Sequence, residues 1–148
     1  MISFLTLCEA LDTPLPFRWV KRDDDYWQAK FTLPNGTGYV CAIVEWSGGW
    51  EVTFRPETMP RDADSFFDVV GGTKQEFRIF ATVVACVKDF LKVVHPYEIK
   101  FSAKEPSRQK LYRRLMSGVA AAIPGYKGSE SPQRRGDGEA VFLVTKTN

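Results

Sequence analysis

The sequence predicts an α+β fold with a mixed, mainly antiparallel sheet, one long crossover helix and a second helix. Three observations carry that prediction. Residues 17–55 hold four short stretches rich in apolar residues, parted by Asp, Pro, Asn and Gly. Residues 75–94 repeat apolar side chains at spacings of three and four. Strand-like and helix-like stretches then alternate to the end of the chain.

The elements follow in order. Phe4, Leu7, Cys8 and Leu11 put a short helix over Ser3 to Leu11, which Pro14 and Pro16 end. Phe17 to Lys21 alternates as a strand, and Asp23-Asp24-Asp25 turns the chain because Asp satisfies its own backbone there. Tyr26 to Leu33 is the second strand, closed by the turn Pro34-Asn35-Gly36-Thr37-Gly38. Tyr39 to Trp46 is apolar on both faces, as a central strand is. Ser47-Gly48-Gly49 leads into Trp50 to Arg55, where Trp50, Val52 and Phe54 share a face. These four strands make an antiparallel meander.

Pro56 to Asp64 is a polar loop, and Phe66 to Val70 reads as a short strand. After Gly71-Gly72-Thr73, the helix from Gln75 to Val94 presents Phe77, Phe80, Ala81, Val84, Val87, Leu91 and Val94 on one stripe, widened by Ile79 and Phe90. Tyr97 to Ala103 alternates again. The helix crossover makes residues 65–70 and 97–103 parallel neighbours. Pro106-Ser107 opens a helix to about Ile123, with Leu111, Leu115, Val119 and Ala122 inward, and Pro124-Gly125 stops it. Tyr126 to Gly138 is rich in Gly, Ser and charge and reads as a flexible loop. Glu139 to Lys146 is the closing strand. The organisation is one domain over 1–148: an N-terminal helix and meander (1–64), then a strand-helix-strand-helix-strand half (65–148).

Composition agrees with one globular domain. The chain has 148 residues, 44% hydrophobic and 26% charged, with a net charge of +2. No apolar run is long enough to span a membrane, and the N-terminus lacks the basic start of a secretory signal. A soluble, non-secreted protein is expected. Near-balanced charge gives no global drive toward nucleic acid or anionic lipid. Aromatic residues are abundant at 14%, which suits a core, a contact surface or a stacking platform.

Three cysteines at wide spacing form no metal-binding pattern, so no metal is expected. Cys41 and Cys86 lie in apolar stretches and read as buried small hydrophobes. His95, the single histidine, precedes Pro96 where a helix ends and reads as a cap of that end.

Val69-Val70-Gly71-Gly72, the helix from Gln75, Ile99 to Ala103 and Arg108-Gln109-Lys110-Leu111-Tyr112 resemble the second half of the GNAT-type N-acetyltransferases. Ile79-Phe80-Ala81-Thr82-Val83, Phe101-Ser102-Ala103, Ser107-Arg108 and Leu111-Tyr112-Arg113 more closely resemble a group of small phage and prophage proteins without a known activity. The resemblance covers about a third of the chain and implies a GNAT-like fold. It implies residence in a host cytoplasm or a virion. By the acetyltransferase resemblance, Gly71, Gly72, Thr73, Lys74 and Gln75 would hold the pyrophosphate of acetyl-CoA at a helix start. Adjacent glycines without the family's later ones, and Glu76 close behind, equally make a plain strand-to-helix turn. Tyr112 would be the general acid toward a leaving thiolate. It equally suits a core position. Glu45, Glu51 and Asp68 are the carboxylates on expected strands that could serve as base.

Arg108, Lys110, Arg113 and Arg114 stand within two helical turns, and Lys127, Arg134 and Arg135 follow. They form a partner- or phosphate-binding patch or a solvated helix face. Three functions follow, in order of expectation. The first is a phage-derived accessory or virion-associated protein that acts by contact with a protein partner or with itself, without catalysis or cofactor. The second is an acetyl-CoA-dependent N-acyltransferase. The third is a nucleic-acid-binding protein using the basic helix.

Overall fold

The computed structural model describes residues 14–46, 49–57, 73–103, 106–132 and 138–147. The meander comes first: β1 (Phe17–Arg22), β2 (Tyr26–Thr32), β3 (Gly38–Trp46) and β4 (Gly49–Pro56). Each pairs antiparallel with the next. The β2–β3 turn uses the local chemistry of its sequence. Asn35 accepts the Thr37 N–H through its side-chain oxygen at 3.0 Å, and Gly36 takes φ 92°, which a side chain would oppose.

Helix α1 (Thr73–Leu91) leads to β5 (Glu98–Ala103), and helix α2 (Pro106–Ala122) leads to β6 (Tyr126–Glu130) and β7 (Ala140–Lys146). The seven strands form one mixed sheet in the order β1-β2-β3-β4-β5-β7-β6. Its only parallel neighbours among the described residues are β4 and β5.

Register places Trp27, Ala29 and Phe31 on the same face as Tyr39, Cys41 and Ile43, then Trp50, Val52 and Phe54, then Ile99 and Phe101, then Phe142 and Val144. All of these are buried. Both helices cover this face. Phe80 meets the Phe54 ring at 5.3 Å and Phe90 meets Trp50 at 4.8 Å, so α1 runs antiparallel to β4. The stripe expected on this helix is the buried one, from Ile79 through Leu91. Thr82 is the polar exception on it. Its hydroxyl accepts the Leu15 N–H at 2.9 Å and donates to the Arg78 carbonyl at 2.7 Å.

Helix α2 covers β5, β7 and β6. At Gly128 the approach is so close that a Cβ would lie 2.6 Å from the Met116 carbonyl oxygen. Arg113 on α2 then forks onto Glu130 of β6, with Nε and Nη2 at 2.8 and 3.1 Å.

Among the described residues β5 lies between β4, its parallel neighbour, and β7. Residues 65–70, expected as that parallel neighbour, lie outside the described residues. Two expectations need correction. Tyr126–Glu130, expected as the start of a loop, is an edge strand paired with β7. Helix α1 stops at Leu91 rather than Val94, because the Lys92 and Val93 N–H groups bond to the carbonyls three residues back, Asp89 and Phe90, and tighten the last turn. The expected helix at residues 3–11 and the expected strand at 66–70 lie outside the described residues.

Candidate functional site

The sheet is two sub-sheets joined by a short seam. β4 follows β3 along its whole length, from Trp46↔Gly49 to Tyr39↔Pro56. β5 follows β7 as fully, from Glu98↔Thr145 to Ala103↔Ala140. Between β4 and β5 the rungs are only Trp50↔Ile99, Glu51↔Lys100 and Val52↔Phe101. Beyond Val52 the two strands part, leaving Thr53–Pro56 without a rung to β5. A wedge therefore opens toward the C-terminal ends of two parallel strands. Ligands of α/β sheets favour that end of the strands.

On the helix-covered side, Tyr112 of α2 fills the wedge. Its ring lies 5.0 Å from Phe80, 5.3 Å from Phe142, 5.7 Å from Phe101 and 6.3 Å from Phe54, all edge-to-face. It is 1% exposed. This arrangement makes Tyr112 a core residue in the resting structure. It reaches a reacting atom only if one is brought into the wedge.

The carboxylates expected as bases part company. Glu51 sits on the middle rung of the seam, opposite Lys100, on the face away from the helices. Glu45 is exposed at the far end of β3, opposite Trp50, and its N–H donates to the Asp25 carbonyl at 3.0 Å. Register sets Glu45 four residues from Phe54, about 13 Å along the strand. Asp68, Gly71 and Gly72 lie outside the described residues. The backbone of Thr73, Lys74 and Gln75 forms the first turn of α1.

The expected basic patch is partly spent. Lys110 is exposed, Arg114 is half-buried, and Arg113 is engaged by Glu130, whose hydrogen bond holds the guanidinium pKa above its ordinary value. Arg108 lies in the first turns of α2, while Arg134 and Arg135 fall outside the described residues.

The tryptophans divide as sharply. Phe17, Trp19, Trp27, Phe90 and Trp50 form an unbroken chain of edge-to-face contacts at 4.8–5.8 Å. Trp19 also donates its indole N–H to Asp89 at 2.5 Å. Trp46 alone of the four faces solvent, 64% exposed, beside a cleft of about 350 Å³ lined by Gly49, Trp50, Glu51 and Lys100. Cys41 and Cys86 are buried free thiols in contact across the interface between β3 and α1. No group of three or more His, Cys, Asp or Glu suited to a metal occurs among the described residues, and no described helix could cross a membrane.

A larger cavity, of about 490 Å³, lies at the opposite end of α1 from the wedge. Of its polar residues only His95 draws notice in the sequence. Lys88, Lys92 and Lys146 carry no motif and meet only through the fold.

No family model and no curated protein matches the sequence. Among solved structures the chain is similar to a crystal structure described as "putative acetyltransferase from Sphaerobacter thermophilus DSM 20745". Identity is 16% and the TM-score 0.40, over 87% of this chain and 75% of that one. The described residues form an α+β protein with one seven-stranded mixed sheet and two helices.

Proposed function

We propose that the protein binds an acyl thioester of the acetyl-CoA type in the wedge between β4 and β5 and transfers its acyl group to an amine. The parting of these two strands after three rungs carries the reading. An extended amide-bearing arm would run along the side of β4 that leaves β5 after Val52, as a peptide adds to the edge of a strand. The first turn of α1 would receive the phosphates of such a ligand, since a helix start favours anions.

In this reading Glu51 is the base. It stands on β4 at the apex of the wedge and would take the proton from an attacking amine on the open face. The amine nitrogen then bonds to the thioester carbonyl carbon, and the carbon–sulfur bond breaks. Tyr112 would give its proton to the departing thiolate from the helix face. Its burial among four rings requires that the thioester displace packing to reach it.

Calorimetry with acetyl-CoA tests the reading. Saturable heat with a Kd of about 1 mM or tighter is expected, about −4 kcal/mol or better. Absence of heat at millimolar ligand would end it. Tyr112→Phe should keep binding and lower transfer, because it removes the phenol and retains the ring.

A second reading, contact with a protein partner without catalysis, is favoured by Trp46. A large exposed aromatic beside a cleft is a typical anchor of a contact surface. Affinity purification of the intact protein and of Trp46→Ala tests it. Loss of a stoichiometric partner in the variant is the expected result, and an unchanged partner set counts against it. A nucleic-acid role through α2 is the weakest reading, since Glu130 already neutralises Arg113.

A further inference from the structure

We propose that the cavity at the C-terminal end of α1 binds a small amphiphilic anion, an apolar chain or ring carrying one carboxylate or phosphate head. The floor is apolar: Leu91 and Ile123 are buried, Tyr126 is buried, and Pro124 completes it. The rim is basic. Lys88 and Lys92 come from α1 and its end, His95 from the turn to β5, and Lys146 from the end of β7. No carboxylate lines the cavity among the described residues.

Two features separate this from ordinary helix capping. Basic residues at a helix C-terminus offset its dipole, and that accounts for Lys88 and Lys92. It does not account for Lys146, which a different element delivers to the same rim. Nor does it account for the hollow itself. A volume of about 490 Å³ falls within the usual span of small-molecule sites, roughly 300–1,000 Å³.

The walls are held in place. The Tyr126 hydroxyl donates to the Pro96 carbonyl at 2.9 Å, tying the floor to the α1–β5 turn. The Lys146 N–H donates to the Tyr97 carbonyl and the Thr147 N–H to the Gly125 carbonyl, both at 2.8 Å. Gly125 takes φ 89°, so the turn after α2 depends on that residue. The site is therefore largely preformed. Its neighbourhood on the α1–β5 turn also exposes Val93 (58%) and Tyr97 (68%), large apolar groups in a turn where polar ones are usual.

An anion with an apolar body matches both parts. The body covers Leu91, Ile123 and Tyr126, and the head meets ammonium groups that keep access to water. Phe80, at the wedge, and Leu91, on this floor, are eleven residues apart on α1, a rise of about 16 Å, so this is a different site from the proposed thioester wedge.

The test is titration of the isotope-labelled protein with octanoate, octyl phosphate and octanol, followed by amide NMR at low and at physiological salt. Saturable shifts centred on Gly125, Lys146 and Thr147 are expected with one or both anions. Whichever anion binds names the head group. Octanol should bind at least tenfold more weakly. The double variant Lys92→Ala, Lys146→Ala removes two exposed side chains and should stay folded, as its amide spectrum will show. It should weaken anion binding at least tenfold. No saturable shift with either anion, or equal binding of octanol, or an unaffected double variant, each overturns the proposal. None of these outcomes depends on acetyl-CoA binding.

Discussion

At the wedge end of α1, four rings crowd Tyr112 where β4 and β5 part. At the other end, four basic side chains stand around a hollow floored by Leu91, Ile123 and Tyr126. The same helix thus serves two kinds of interior. At the wedge, dispersion and edge-to-face geometry fill the space, so a ligand must compete with packing. At the hollow, among the described residues, the apolar wall is open and the charge lies at its rim. A ligand there loses little protein packing and gains complementary charge. A functional site is easier to build where the core has stopped than where it is densest.

The largest effect should come from emptying the ring cluster. Phe80→Ala should cost about 3–5 kcal/mol in urea unfolding. A much smaller loss would mean that the wedge end is not held by its rings. Gly128→Ala probes the seat of α2 on β6, where the new Cβ must push against the Met116 backbone. A cost of about 1–3 kcal/mol is expected from such overpacking. No cost would mean that this helix shifts freely, and Tyr112 with it.

A third prediction concerns the middle of α1. The hydrogen bond to Cys41, and then burial, push the Cys86 thiol well above the usual thiol range. The folded thiol keeps its proton while the unfolded one loses it above about pH 8.5. The unfolded state then binds fewer protons, so stability falls as pH rises. The loss starts near the unfolded value, at up to about 1.4 kcal/mol per pH unit. Urea midpoints between pH 7 and 10 should fall less steeply in Cys86→Ala than in the parent. Equal slopes would assign the alkaline loss elsewhere. The smallest effect belongs to the surface. Arg113→Ala removes an exposed ion pair and should barely move the midpoint, less still at high salt. A large shift would show that the fork onto Glu130 holds α2 against β6.

The sequence made the first sub-sheet and α1 legible because their signals are local. Turn residues sit between alternating strands, and one long stripe marks the helix. Tyr126–Glu130 escaped because an edge strand needs no apolar alternation. Its Gly128 and Ser129 look like loop, yet Gly128 is there to admit α2. The parallel pairing of β5 with β4 escaped because nearness in sequence points to residues 65–70 instead. Among the described residues most of the aromatic excess resolves into core, with Trp46 and Tyr97 left exposed. The basic cluster that periodicity does reveal, on α2, is the one a neighbouring carboxylate partly cancels. The one around the hollow adds Lys146 to Lys88, Lys92 and His95 from a distant part of the chain, so no window of sequence contains all of it.

The short seam between the sub-sheets has a consequence for the order of assembly. The pairings among β1 to β4 are all between sequence neighbours, and the last residue of these strands is Pro56. They can form as soon as that residue leaves the ribosome, with little loop entropy to overcome. Among the described residues, their face of Trp27, Ile43, Val52 and Phe54 is covered only when α1 follows. β5 can add only afterwards, through three rungs. During synthesis the nascent chain therefore carries an open apolar sheet, the kind of surface that chaperones cover. Pulse-labelled hydrogen exchange during refolding should find β2 to β4 protected before β5 and β7, and simultaneous protection would refute that order.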